Sequence, residues 1–398
     1  MYSLEDSEFL FFIRGWEVRR DYSRCFSKSI LIVYNQLSLH TIHSSLEGPS
    51  GTTRVPSGRS TPLGVDLPSG EVCLVRVKVT KTATMVNRHY LSTKQESNLD
   101  SWFITGYTEG EGSFSIRLRT KSSSIFGYHV SIVYSIGAEV NPLNLKLLER
   151  VKDYFGGVGS ISRSGNMYLF EVSSLKALLN VRKHFEEFPL QTTKFVHFKL
   201  WCQVMDILNN KEHLTESGFY KILSIKSLFP KGLSPKLLEL HPKEKYISLI
   251  KPVFEPSKAV LDKYWITGFA QADGTFGLNY SKLTRMKLGY SCLPQFRITQ
   301  HERDLAVLNR IVLTLGCGTL VKPTGDRDRY SISVANISDL VNIIIPLFEE
   351  CPIYGAKYPD FLDFCKGIQI IKQKGHLTPE GLNELKNLAY GMNTYRKF

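Results

Sequence analysis

The sequence predicts an α+β chain in which one structural unit occurs twice. Two observations carry this: a short apolar motif recurs, and independent markers keep one spacing across a whole half. The segment Trp102-Phe-Ile-Thr-Gly-Tyr-Thr-Glu-Gly-Glu-Gly-Ser-Phe114 returns as Trp265-Ile-Thr-Gly-Phe-Ala-Gln-Ala-Asp-Gly-Thr-Phe276. Glu111 and Asp273 lie 162 positions apart, while Lys194 and Lys357, Cys202 and Cys365, and His213-Leu-Thr215 and His376-Leu-Thr378 each lie 163 apart. Each half reads as motif helix, strands, helix, strands and further helices, an α+β order rather than βαβ.

The motif is a helix with small residues four apart, Gly106 and Gly110 in one copy, Gly268 and Ala272 in the other. Positions i and i+4 share a helix face, so each copy offers a strip where two backbones can approach closely. Packing these strips together sets Glu111 beside Asp273. Both acids precede a glycine, Gly112 or Gly274, expected to end its helix in the left-handed conformation. A carboxylate there faces the negative end of the helix dipole, at a cost of about 0.3–1 kcal/mol. Two such anions at one seam also repel. A hard divalent cation held by carboxylates and water would offset both effects.

The polar strands give the second half of the argument. After the first motif, Phe114, Ile116 and Leu118 alternate with Ser113, Ser115, Arg117, Arg119 and Lys121. After the second, Phe276, Leu278 and Tyr280 alternate with Thr275, Gly277, Asn279 and Ser281, followed by Lys282, Arg285 and Lys287. A partner strand sets Gln295, Arg297 and Thr299 on one side. Hairpins at Ser164-Gly165-Asn166 and Thr324-Gly325-Asp326 extend the basic surface with Arg163 in one half and Lys322, Arg327 and Arg329 in the other. A solvated sheet face accounts for polarity but not for the excess of Arg and Lys. A β-ribbon fits the major groove, where Arg, Lys, Gln, Asn and Ser read base edges.

Composition agrees. A chain of 398 residues suits two domains with additions, and 42% hydrophobic content suffices for packed cores. A net charge of +13 and a pI near 9.3 point to a polyanionic partner, nucleic acid ahead of a membrane surface. Seven scattered cysteines, none in a CxxC pair, argue against a disulfide framework or zinc site and for a reducing compartment. No apolar run reaches the length of a membrane span, and the chain is read as soluble. Acids at Glu5, Asp6, Glu8, Glu17 and Asp21 break the acid-poor pattern of a transit peptide.

Composition also divides the chain. Residues 1–97 form an extension expected to be poorly ordered: Ser44 to Gly70 reads as linker, and Val72 to Val79 as a strand with nothing nearby to complete a sheet. Residues 98–228 and 261–398 form the two subdomains. Between them, Pro230, Pro235, Pro242, Pro252 and Pro256 make 229–260 a linker without long regular elements. Thr215 and Thr378 read as helix N-caps, which makes His213 and His376 structural rather than metal ligands.

Ile104 to Gly112 and Ile266 to Gly274 resemble the nonapeptide of LAGLIDADG homing endonucleases in their single-chain, two-motif form, as encoded by fungal mitochondrial group I introns. The resemblance covers about residues 100 to 398. It implies two pseudo-twofold related subdomains, each an antiparallel β-saddle backed by helices, with the motif helices packed at the central interface. It implies metal-binding acids at the eighth motif position, Glu111 and Asp273, helped by the carbonyls of Gly110 and Ala272. At the sixth position stand Glu109 and Gln271, a difference that leaves the metal site untouched. A basic residue five positions after a proline is implied near each scissile phosphate, here Lys194 after Pro189 and Lys357 after Pro352. A polar residue facing the site is Gln300, while Ala138 takes that place in the first half.

These readings converge on a site-specific double-strand DNA endonuclease that uses Mg²⁺, or Mn²⁺ or Ca²⁺ in the same site. It would act as a monomer on a long duplex target and leave 3′ overhangs. The alternatives are a maturase that binds its own group I intron RNA, and a DNA-binding relative that has lost catalysis. Location is expected in the mitochondrion, with no membrane partner.

Overall fold

The computed structural model describes residues 98–396 except Thr324, Asp326 and Arg327, together with the backbones of Glu8–Ile13 and Cys73–Lys78. The Ser44 to Gly70 stretch, both flanks of the turn at Gly325, and Arg327 therefore lie outside the described residues. The chain divides into two units, Met1–Thr93 and Lys94–Phe398. In the first, β1 (Glu8–Ile13) pairs antiparallel with β2 (Cys73–Lys78), Glu8 opposite Lys78 and Ile13 opposite Cys73. The strand read at Val72 to Val79 is present as β2, and it is not isolated, although no neighbouring segment pairs with it. The partner is far upstream, and local sequence carries no signal of such a pairing.

The second unit contains both motifs. Helix α1 (Ser101–Glu111) starts where Asp100 accepts the Trp102 N–H at 2.8 Å. It leads into β3 (Gly112–Thr120), β4 (Tyr128–Glu139), α2 (Pro142–Tyr154), β5 (Ser160–Ser164), β6 (Met167–Val172), α3 (Leu175–Glu187), α4 (Lys194–Asn209) and α5 (Glu216–Ser227). After the short α6 (Pro235–Leu240) the order repeats. It runs α7 (Lys263–Asp273), β7 (Gly274–Lys282), β8 (Tyr290–His301), α8 (Leu305–Leu315), β9 (Thr319–Val321), β10 (Arg329–Val334), α9 (Ile345–Glu350), α10 (Lys357–Lys372) and α11 (Pro379–Tyr390). Each half has one antiparallel four-stranded sheet, in orders β3-β4-β6-β5 and β7-β8-β10-β9.

The motif helices terminate differently from the sequence expectation. Gly112 (φ −80°, ψ 154°) and Gly274 (φ −80°, ψ 152°) are extended, not left-handed. Glycine is required there for space: an added Cβ would stand 2.4 Å from Thr108 Cγ2 at Gly112 and 2.5 Å from the Ala270 carbonyl at Gly274. The chain passes directly from helix into the first saddle strand, so the acid and the strand are rigidly joined.

Each sheet buries one face. Phe114 meets Tyr134, Phe185, Phe198 and Trp201 in the first core, and Phe276 meets Phe296, Phe348, Phe361 and Phe364 in the second. These rings come from the alternating apolar positions of the strands and from helices behind them, the inward half of a period-two pattern. The connection 229–260 holds only α6 and a 3₁₀ turn at Lys243–Lys245, and Leu233 and Leu237 from it enter the first core. Thr215 and Thr378 cap α5 and α11 through the N–H groups of Gly218 and Gly381, as their sequence position predicts. No helix among the described residues is long and apolar enough to cross a membrane.

Candidate functional site

The site begins at the seam between α1 and α7. A Cβ on Gly106 would lie 2.1 Å from the Trp265 carbonyl oxygen, and one on Gly268 2.2 Å from that of Phe103. Gly110 faces Ala272 in the same way, at 2.2 Å from its Cβ. The four small residues named from sequence therefore form the contact, backbone on backbone at Gly106 and Gly268 and against the Ala272 methyl at Gly110. This close approach carries the last residue of each helix, Glu111 and Asp273, to the seam. Asp273 Oδ2 lies so near Gly110 that an added Cβ would stand 2.7 Å from it.

Both carboxyls are held above their ordinary pKa. For Glu111 burial is the main cause and the charge of Asp273 the next, opposed by Lys357 and Lys194. For Asp273 burial again dominates, opposed by a hydrogen bond from Gln300 and by both lysines. Gln300 Nε2 donates to Asp273 Oδ2 at 2.6 Å. Its first-half counterpart Ala138 is buried in the core and offers nothing comparable.

The lysines occupy the helix ends. Lys194 Nζ donates to the carbonyls of Thr108 (2.8 Å), Gly110 (3.4 Å) and Gly112 (2.6 Å). Lys357 Nζ donates to those of Ala270 and Ala272, both at 3.1 Å, and of Gly274. Each ammonium thus meets the negative end of its own motif helix, and part of the cation needed to offset the dipoles is built into the chain. Burial pulls Lys357 down to about 8 and lowers Lys194 as well, against the pull of the surrounding carboxylates.

This donor set suits a hard divalent ion. It consists of two desolvated carboxylates and the carbonyls of Gly110 and Ala272, all oxygen, and a carbonyl has a second lone pair beyond the one facing lysine. Among the described residues there is no group of three or more His, Cys, Asp or Glu able to hold a metal. An ion here would complete its shell with water or substrate oxygens, as magnesium commonly does.

A cavity of about 440 Å³ opens beside Asp273, lined among others by Gly110, Lys194, Thr275, Thr299, Gln300, Arg303 and Arg329. It is composite: Glu109, Gly110, Thr192, Thr193, Lys194 and His197 come from one half, the rest from the other. Glu111 and Lys357 are not among its lining residues. Thr275, Thr299 and Arg329 line this cavity together with Asp273.

The remaining polar positions spread along the two sheets. Ser113, Ser115, Arg117 and Arg119 alternate with the buried positions of β3, and Lys121 follows it. Asn279, Gln295 and Arg297 form one network, with Asn279 Nδ2 at 3.2 Å and Arg297 Nη2 at 2.7 Å from Gln295 Oε1, while Gln295 also reaches Ser333. Ser281, Lys282, Arg285 and Lys287 are exposed at the far end of the β7–β8 hairpin. Arg163 donates to Gly165 O at its turn, and Lys322 lies 5.1 Å from the Tyr330 ring centroid. Arg117 pairs with Glu171 on β6, an acid on the polar face that the sequence does not single out. Arg303, Ser333 and Asp304 likewise escape sequence reasoning; their only local signal is strand alternation or position at a strand end.

The sequence profile described as LAGLIDADG endonuclease matches residues 104–205 and 266–368. A probable intron-encoded endonuclease of Neurospora crassa is 33% identical over 73% of this chain and 54% of its own length. A second from the same fungus is 28% identical over 73% of this chain and 65% of its own length. The chain thus spans about 54–65% of the length of these relatives. Among solved structures, the I-SmaMI LAGLIDADG homing endonuclease bound to cleaved DNA superposes with a TM-score of 0.71 at 35% identity, covering 75% of this chain and 98% of that one. The same enzyme is also known bound to uncleaved target with calcium ions. With both motif copies, two saddle sheets and a glycine seam in place, the chain belongs to the LAGLIDADG endonuclease family.

Proposed function

We propose that this protein is a site-specific DNA endonuclease that cuts both strands of a long duplex target, leaves 3′ overhangs, and serves the homing of a group I intron in a fungal mitochondrion. The observation that carries the reading is the pair Glu111 and Asp273. Packing explains the glycines around them, but nothing in packing calls for two desolvated carboxylates at one seam. Fungal intron-encoded endonucleases among the relatives, and a DNA-bound structural neighbour, support the same reading.

In this reading Glu111, Asp273 and the carbonyls of Gly110 and Ala272 hold divalent ions, with Mg²⁺ the expected species. A bound divalent ion would supply Lewis acidity and an activated water. Lys194 and Lys357 balance the charge of the helix ends and stand beside the scissile phosphates. Gln300 orients Asp273. The polar face carries recognition: Ser113, Ser115, Arg117, Arg119, Thr275, Asn279, Gln295, Arg297 and Thr299 toward bases, with Lys121, Arg163, Ser281, Lys282, Arg285, Lys287, Lys322, Arg327 and Arg329 toward the backbone. Residues 98–228 and 261–398 act as the two subdomains of a monomer, joined by 229–260, with 1–97 an extension outside the chemistry. A scaffold that only bound intron RNA would gain nothing from the paired acids.

The test is cleavage of a randomised duplex library, including intron-free junctions, in Mg²⁺. Wild type is expected to linearise a defined target, and Glu111→Gln or Asp273→Asn to lower the rate on the order of 100-fold or more. A wild-type chain that leaves every duplex intact, or a Glu111→Gln variant as fast as wild type, refutes the assignment.

A further inference from the structure

Each lysine is delivered by a turn that is gripped from two sides. In the first half, Glu109 on α1 accepts the backbone N–H groups of Gln191 and Thr192 and the Thr192 hydroxyl. The second grip comes from the other half. Asp304 Oδ1 accepts the Thr193 N–H at 2.8 Å and Oδ2 its hydroxyl at 3.2 Å. Arg310, six residues on, donates to Gln191 Oε1 at 2.8 Å.

The second half repeats the arrangement with different side chains. Gln271 on α7 accepts the Tyr354 N–H at 2.8 Å, and Asn144, from the first half, accepts the Ala356 N–H at 2.9 Å. Arg150, again six residues on, stands 4.2 Å from the Tyr354 ring centroid. Thr193 and Ala356 are the N-cap residues of α4 and α10, and neither side chain caps its own helix. Helix starts normally find that partner locally. At the first start Thr192 Oγ1 accepts the Lys194 N–H at 3.1 Å from within the turn, and at both starts a further contact arrives from across the seam, from buried Asp304 and buried Asn144.

We infer that Asp304 and Asn144 are positioning residues that act in trans. Asp304 holds the turn that carries Lys194 and Asn144 the turn that carries Lys357, so the placing of each lysine is completed by the opposite half. The inference rests on the nuclease reading for its consequence in catalysis, while the grip itself is a property of the free protein. It makes the two strand cuts separable: loosening one turn slows one cut and leaves the other intact. The chemistry of the grips also differs, carboxylates Glu109 and Asp304 around the first turn, amides Gln271 and Asn144 around the second. Since an amide suffices in the second half, Asp304→Asn should preserve function in the first.

The experiment has two arms. In the first, amide hydrogen exchange is followed in the free, full-length protein. Asp304→Ala is expected to speed exchange at 191–196 by about tenfold with 354–358 unchanged, and Asn144→Ala to do the reverse. In the second, a duplex recovered from the library selection is labelled on each strand. Asp304→Ala and Asn144→Ala should each slow one cut by about tenfold, on opposite strands, whereas Asp304→Asn keeps the wild-type ratio. Loosening of both turns together in either variant overturns the inference, as does a wild-type strand ratio in both alanine variants. If wild type cuts no duplex, the nuclease reading fails and exchange alone decides the grip.

Discussion

Glu111 and Asp273 are legible from sequence because they stand out against a packing motif that explains every residue around them. Not every consequential side chain announces itself in this way. His184 is an ordinary histidine of α3 in the sequence, yet in the fold it is buried against the first motif helix. Its Nε2 lies 3.1 Å from Thr105 Oγ1 and its Nδ1 2.8 Å from the Tyr154 hydroxyl. Thr105 also donates its hydroxyl to Phe188 O at 3.0 Å. Burial lowers the pKa of His184 from 6.5 to about 3. The folded state therefore binds this proton more weakly than the unfolded state. The stability this group contributes is complete above pH 6.5 and drains away as pH falls toward 3. Urea denaturation between pH 7 and pH 4 should show wild type losing up to about 1.4 kcal/mol per pH unit relative to His184→Gln. Parallel profiles for the two proteins would mean that the ring is not protonated on unfolding in that range.

At the scale of elements, the motif helices show why spacing was enough to foresee the seam but not its ends. Gly106, Gly110, Gly268 and Ala272 fall on one face of each helix by simple periodicity, and that face is where the backbones meet. How the helices end depends on where the next strand must go, and the expected left-handed glycines are extended instead. A Gly268→Ala side chain would meet Phe103 backbone atoms, which cannot rotate aside as a side-chain tip can. The substitution is expected to cost about 3 kcal/mol or more. Chemical denaturation would detect this readily, and a variant within about 0.5 kcal/mol of wild type would show that the seam is looser than its geometry indicates. The periodicity that exposes the seam gives no sign that β1 pairs with β2.

At the scale of the whole molecule, the net charge of +13 draws on exposed positions such as Lys282, Arg285 and Lys287 at the turn end of the β7–β8 hairpin. Side chains at such a place suit phosphates, whereas Asn279, Gln295 and Arg297 are hydrogen-bonded to one another in a network suited to base edges. Replacing Lys282, Arg285 and Lys287 by Gln should weaken binding uniformly and reduce the salt dependence of log K by about 0.9 for each phosphate no longer neutralised. Binding titrations at several salt concentrations on matched and mismatched duplexes separate the two roles. A change of preferred bases with an unchanged salt slope would assign these three residues to readout instead.

The duplication, the seam, the acid pair and the alternation of the saddle strands were all determined by local spacing, because helix and strand periods are properties of the chain itself. The places of the lysine ammoniums and the grips of Asp304 on Thr193, 111 positions away, and of Asn144 on Ala356, 212 away, were decided only by tertiary structure. Such contacts depend on how two halves dock, and docking is set by the summed packing of many side chains rather than by any motif. What the chain can do chemically is thus written in its repeats, while the arrangement that would tie one half's lysine to the other half exists only once both halves are folded together.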